Sequence, residues 1–304
     1  MGETYWILIV IGLIMLVTTT VFHFVMKWQS ARDFSLIRFR IKTWWGMFGI
    51  FCVATLFNST ISLCAIMVLS YFALKEYFSM MKTRKSDRRL FLWAYLTIPI
   101  QFYWIYIGWY GMFIVFIPIY VFLFLPLPRI IGKGTIGFLR SVSVTQWGLM
   151  LMVFGLSHLA FFSVASPEYG ANLVLYLIIL TQINDVVQYL VSLYIGRKKV
   201  APTANSYITW EGLAAGVIAT MLTAYLIYRF VTPFDLPFAV LMGLLISVVG
   251  YFGSLTISVL KRDLLIGNRE KMEQLKGRYL HRIDSLAYTA PVFFHVVRYF
   301  FDFM

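Results

Sequence analysis

Charge is what this chain has least of. Only 13% of its 304 residues are Asp, Glu, Lys or Arg, roughly half the share of an ordinary soluble domain, so water is not the main solvent for its surface. No long polar stretch interrupts the apolar runs, which leaves no room for a separate soluble domain; residues 1–304 read as one membrane domain. Cysteine is nearly missing. Cys52 and Cys64 both lie inside apolar segments and are expected as small core residues rather than a disulfide or a metal pair. The first apolar segment, Tyr5 to Met26, lacks a basic start and a small-residue cleavage site and reads as a retained helix. Acid is also scarce, 13 residues against 26 Lys and Arg, for a net charge of +13. Nucleic-acid binding would be one use of that excess. The bases fall instead in loops between apolar runs, where they orient a chain in a membrane and attract anionic headgroups.

What is abundant is apolar surface: 61% hydrophobic residues and a mean hydropathy of +0.80. Runs long enough to cross a bilayer recur along the whole length. They divide into about ten spans, roughly 5–27, 43–57, 59–81, 90–107, 108–127, 144–165, 171–194, 210–230, 237–260 and 286–303. Of the 26 basic residues, 23 fall in or at the edge of loops 28–42, 82–89, 128–143, 195–209 and 258–285, which ten spans place on one side, while the other connections carry no Lys or Arg. An all-α polytopic membrane protein follows, with basic loops cytoplasmic and both termini outside. The 18 residues from Asp263 to Leu280 are expected to include a short amphipathic helix. No internal repeat of fixed length is evident, so the half-helix symmetry of many secondary transporters is not visible.

Polar residues inside spans and at their basic ends carry whatever chemistry there is. Asp185 lies within an apolar span, where a carboxylate normally faces a cavity or a partner. Gly196-Arg197-Lys198-Lys199 offers clustered cations and backbone amides, which fit phosphate holding and topology control equally well. Thr209 suits a helix N-cap, and Glu211 in the first turn suits the helix dipole or a Mg²⁺ ion. Ser258, Lys261 and Arg262 close the ninth span, and His281, Arg282 and Asp284 precede the tenth. His23, His158 and His295 sit singly in spans and read as hydrogen-bonded helix contacts. The 18% of aromatic residues reads as span packing and interfacial belts.

Taken in order, these residues resemble the CTP:phosphatidate cytidylyltransferase (CDP-diacylglycerol synthase) family. The resemblance rests on Asp185 and Tyr189, Gly196-Arg197, Ala201-Pro202, Thr209-Trp210-Glu211-Gly212, Gly253, Ser258, Lys261-Arg262, Arg282-Ile283-Asp284-Ser285 and Ala290-Pro291. It is strongest over about 184–291; residues 171–304 form the half with the family signature and a cytoplasm-facing pocket, and 1–170 match mainly in being multi-span. The resemblance implies transfer of CMP from CTP to phosphatidic acid with Mg²⁺, a homodimer, and a bacterial inner membrane. It places catalytic roles on Asp185, Asp284 and Lys261, substrate contacts on Arg197, Lys198, Ser258, Arg262 and Arg282, and metal ligation on Asp185, Glu211 and Asp284.

The departures fall on the same motifs. Ser254, Asn268 and His281 stand where the family has acids, and Gly267 and Ile208 stand where it has lysines. Neutral Ser and Asn are poor ligands for a hard divalent cation, and each lost contact of this kind costs on the order of 10²–10³ in rate. The expectation is an impaired enzyme that binds anionic phospholipid or nucleotide, or serves a protein partner. An active CTP-dependent transferase is the first alternative, and a lipid or small-molecule transporter the second.

Overall fold

The computed structural model describes residues 58–81, 87–131, 137–166, 168–202, 205–264 and 280–301, with scattered positions between 9 and 52. Among the described residues from 58 onward, eight helices and one small hairpin follow in order. They are α1 (Ser59–Ser79), α2 (Arg88–Tyr106), α3 (Tyr110–Ile131), α4 (Phe138–Ala165), α5 (Gly170–Tyr194), β1 (Lys199–Ala201), β2 (Asn205–Thr209), α6 (Trp210–Val231), α7 (Leu236–Leu264) and α8 (Leu280–Phe300). Six of them (α1, α3, α4, α5, α6 and α7) are long and apolar enough to cross a membrane. The all-α membrane architecture read from the sequence therefore holds, with an antiparallel two-stranded hairpin between α5 and α6. Helices α2 and α8 coincide with expected spans but are more polar: α2 opens on Arg88 and Arg89, and α8 carries Asp284 and Arg298. The expected spans 5–27 and 43–57 fall largely outside the described residues, as does the amphipathic helix expected after Asp263.

Helices in lipid gain nothing from hiding apolar surface from one another, so they associate through close packing and hydrogen bonds. Helix α6 shows how. Gly212, Gly216, Thr220 and Ala224 recur every four residues and are all buried. A Cβ on Gly212 would collide with Ser192 Oγ and the Gln188 carbonyl, and one on Gly216 with Gln188 and Asn184. The stripe therefore lets α5 approach to backbone distance. Asn184 then ties three helices together: its Oδ1 accepts from Gln188 Nε2 (2.9 Å), Ser247 Oγ (2.6 Å) and Thr220 Oγ1 (3.5 Å), and its Nδ2 donates to the Ser247 carbonyl (3.3 Å).

A second device joins the two halves. Pro291 lacks an N–H, so the Ala287 carbonyl loses its helical donor, and Gly155 of α4 packs where a side chain would collide with that carbonyl. The apolar core runs without a break from Leu63 of α1 to Val297 of α8. At the end where α2 and α4 begin and α3 finishes, buried Arg129 pairs with buried Asp87, whose Oδ1 also accepts from Ser141 Oγ at 2.8 Å. One residue departs from its expected place: Cys64, read as a core residue, is exposed on α1.

Candidate active site

The turn from α5 into α6 shapes one edge of the site. Thr209 caps α6 as its side chain predicts, accepting from the Gly212 amide at 3.2 Å. Its own amide donates to Ser192 Oγ at 3.0 Å, and its hydroxyl donates to the same oxygen at 3.2 Å. Glu211 turns back onto the loop and accepts from the Arg197 amide at 3.1 Å. An amide of the Gly196–Lys198 loop that a phosphate would seek is thus taken by an internal carboxylate. Arg197 and Lys198 keep exposed side chains at this rim. Ile208, at a family lysine position, is buried.

The centre lies where α5, α7 and α8 meet. Asp185 of α5 is half-buried, and Ser285 of α8 donates its hydroxyl to that carboxylate, lying 2.9 Å from each oxygen. Ser285 is fully buried, and its amide donates to Asp284 Oδ1 at 2.9 Å; Asp284 itself is 1% exposed. One serine therefore links two carboxylates from helices 100 residues apart in sequence. Two acids gathered inside a membrane need cations or donors to persist. Lys261, half-buried near the end of α7, lies within electrostatic reach of Asp284.

Lys261 is also within reach of Glu76 of α1. Glu76 is an acid inside an expected span and meets the same rule for intramembrane carboxylates as Asp185. Gly253 explains how α7 and α8 come so close: a Cβ there would meet the Asp284 carbonyl at 2.8 Å and Tyr288 Cβ at 2.9 Å. Ser254, in place of a family acid, follows directly and is half-buried; its carbonyl accepts from Ser258 Oγ at 2.7 Å. Arg262 is exposed. Gly267 and Asn268 lie outside the described residues, as do the side chains of His281 and Arg282.

The arrangement brings together Asp185, Asp284 and Lys261, with Ser285 and Glu76 added, and holds Glu211 apart. As a seat for Mg²⁺ the fit is poor. Among the described residues no three His, Cys, Asp or Glu side chains stand close enough to hold an ion. The Asp185 oxygens are already engaged by Ser285, and Ser254 offers no charged oxygen. Lys261 is the cation that converges on these acids, and a lysine can hold a phosphate as a point charge.

Known proteins resemble this chain in sequence. Over 289 residues the chain is 35% identical to the uncharacterized protein YnbB of Escherichia coli K12, covering 94% of this chain and 95% of that protein. Phosphatidate cytidylyltransferases match over a shorter stretch: that of Chlamydia pneumoniae is 28% identical over 173 residues, 53% of this chain and 56% of that enzyme. That of Mycobacterium bovis is 30% identical over 129 residues, 41% of this chain and 40% of the enzyme. The chain thus spans about half the length of the named enzymes it matches. Residues 38–300 match the Cytidylyltransferase family, and with that coverage the chain belongs to this family.

Proposed function

We propose that this cytidylyltransferase-family membrane protein has an impaired active site and binds an anionic phosphate ligand, phosphatidic acid or CTP, at the Asp185–Ser285–Asp284–Lys261 centre. The observation that carries the reading is Ser254. It lies in the segment packed against Asp284, and a hydroxyl there cannot replace the charged oxygen the family uses to hold a divalent ion. The retained Lys261, with the exposed Arg197 and Lys198 at the rim, still offers positive charge to a phosphate. In this reading the protein lies in a bacterial inner membrane with the basic rim of Arg197 and Lys198 at the cytoplasmic face, where positive charge belongs. Ser258, Arg262 and Arg282 complete the ligand contacts, and a homodimer or a protein partner supplies the setting.

The test is CMP transfer from labelled CTP to phosphatidic acid by the purified protein, with Mg²⁺ and then Mn²⁺. No product, together with saturable binding of either substrate that Lys261→Gln abolishes, is the expected result. Product above an Asp185→Asn, Asp284→Asn control overturns it.

Glu76 favours a second reading, in which catalysis survives. An acid from α1 within electrostatic reach of Lys261 is a carboxylate that the family motifs do not include. If it stands in for the acid lost at Ser254, the wild type turns over and Glu76→Gln abolishes product while leaving CTP binding within about twofold. Turnover that is indifferent to Glu76→Gln removes this substitution from consideration.

A further inference from the structure

The opposite end of the bundle carries a second polar centre, independent of the reading above. Along α8, Arg298 follows Asp284 by 14 residues, which at 1.5 Å per residue puts roughly 21 Å between them. Four buried polar atoms there have no hydrogen-bond partner among the described residues: Gln101 Oε1, Trp104 Nε1, His158 Nε2 and Arg298 Nη1. Buried polar atoms are nearly always paired, so four in one region, from α2, α4 and α8, call for an explanation.

The surroundings fix what each atom offers. Gln101 Nε2 donates to the Phe113 carbonyl at 3.0 Å, which sets the amide orientation and leaves Oε1 as an acceptor. His158 Nδ1 lies 2.8 Å from the Phe154 carbonyl. A carbonyl only accepts, so Nδ1 carries the proton and Nε2 presents a lone pair. Arg298 and Trp104 can only donate. The guanidinium carbon of Arg298 lies 3.1 Å from the centroid of the Tyr110 ring, and no carboxylate pairs with it among the described residues. Tyr110 Oη is 3.4 Å from His295 Nδ1, and the rings of His158 and His295 are 5.3 Å apart. Exposure falls from His295 on the surface, through half-buried Tyr110, Arg298 and Trp104, to His158 and Gln101 at 0%.

The backbone around this cluster is irregular as well. The φ of +70° at Gly108 makes the tight turn that sets α2 beside α3. Two π-helical segments, Phe116–Val121 and Leu149–Gly155, flank the cluster, a local geometry found often at functional sites. The site thus has two donors, one of them a guanidinium with no described counter-charge, and two fully buried acceptors.

We propose that this end binds a phosphate ester bearing hydroxyl groups, of the phosphoglycerol type. Arg298 and Trp104 donate to the phosphate oxygens, and Gln101 Oε1 and His158 Nε2 accept from the hydroxyls. A buried water would satisfy the acceptors but would leave the guanidinium charge unbalanced. The connections at this end, around Gly108, 166–170 and 232–237, carry no Lys or Arg, which by the positive-inside rule turns the cluster toward the outer leaflet.

The test uses the full chain in detergent. Phosphatidylglycerol binding is followed by native mass spectrometry and sn-glycerol 3-phosphate binding by titration calorimetry, for the wild type and for Arg298→Gln. His158→Phe, which keeps the aromatic packing, serves as a second variant should the first fail to fold. Loss of a charge-assisted contact is expected to weaken binding about tenfold or more, and to do so equally in a Lys261→Gln background, which keeps the two ends apart. Binding of both probes identifies the headgroup alone as sufficient; binding of the lipid only adds the acyl chains to the recognised unit. Binding unchanged in both variants, or absent with both probes, overturns the proposal and leaves the cluster to water.

Discussion

The two ends of this bundle solve the problem of polar groups in a membrane in opposite ways. At the motif end, polar groups bond to one another across helices: Ser285 reaches Asp185, and Asn184 binds Gln188, Thr220 and Ser247. At the far end, aromatic rings surround Gln101, His158 and Arg298, and four polar atoms stay without a partner. At the first end the buried polar groups satisfy one another, and at the second four of them find no partner among the described residues. The comparison teaches that a family signature marks where chemistry once was or still is, while unmet hydrogen bonds mark where a ligand fits whether or not a signature exists.

The largest effect that sharpens the contrast is a gain. Restoring acids by Ser254→Asp, Asn268→Asp and His281→Asp is expected to raise CMP transfer by on the order of 10²–10³, the size of a recovered electrostatic contact in the transition state. The rate of product formation with Mg²⁺ measures it. If the wild type already matches the triple variant, the motif end is not impaired, and the difference between the ends is one of substrate and not of competence.

Next in size is the buried ion pair. Arg129→Ala leaves Asp87 charged and buried, which costs about 3–5 kcal/mol when one partner of such a pair is removed. A large fall in the thermal midpoint in detergent is expected, against a small one for Arg298→Gln. Similar losses for both would mean that Arg298 is a structural residue like Arg129, and the far end would lose its claim to a ligand.

These particular residues also show how far the sequence could be read. The helices of the described half-dozen spans were legible because length and apolarity are set by the bilayer alone. Asp185, Lys261 and Asp284 were legible through motif spacing, and Thr209 through capping chemistry. Glu76 is covered by the rule for intramembrane acids, but its approach to Lys261 comes only from the packing of distant helices, which no local spacing reports. The pairing of Glu211 with the Arg197 amide depends on how the β1–β2 hairpin folds back, and no spacing reports that. His158 and His295, taken singly, lie 137 residues apart in sequence and meet only through the packing of α4 on α8. Cys64 was misplaced because an apolar span has a lipid face as well as a core face, and both look alike in composition.

A smaller effect probes the closed end. Gly216→Ala puts a Cβ against Gln188 and Asn184, and overpacking of this kind costs about 1–3 kcal/mol. Asn184→Ala removes the shared acceptor without adding bulk and is expected to cost less, about 1–2 kcal/mol, in line with interhelical hydrogen bonds in membranes. Chemical denaturation in mixed micelles ranks the two; the reverse order would mean that hydrogen bonding and not close approach governs the α5–α6 seam.

The smallest expected effect is the most discriminating. His158→Phe replaces an imidazole that sits among Phe113, Phe154 and Phe294, with ring centroids 4.7–5.3 Å away, by a ring of similar shape. The change removes the His158 Nδ1 bond to the Phe154 carbonyl, but Ser157 Oγ already donates to that carbonyl at 2.7 Å, so the acceptor is not orphaned. It also removes the unpartnered Nε2, and exchanging an unsatisfied buried polar atom for an apolar one is nearly neutral or stabilising. The thermal midpoint should therefore hold or rise slightly while phosphatidylglycerol binding falls. Ser285→Ala at the other end should do the converse, because it strips Asp185 of its donor and leaves a half-buried carboxylate less well satisfied. A marked loss of stability in His158→Phe would show that the histidine holds the helices together, and the contrast between a closed end and an open one would fail at its deepest residue.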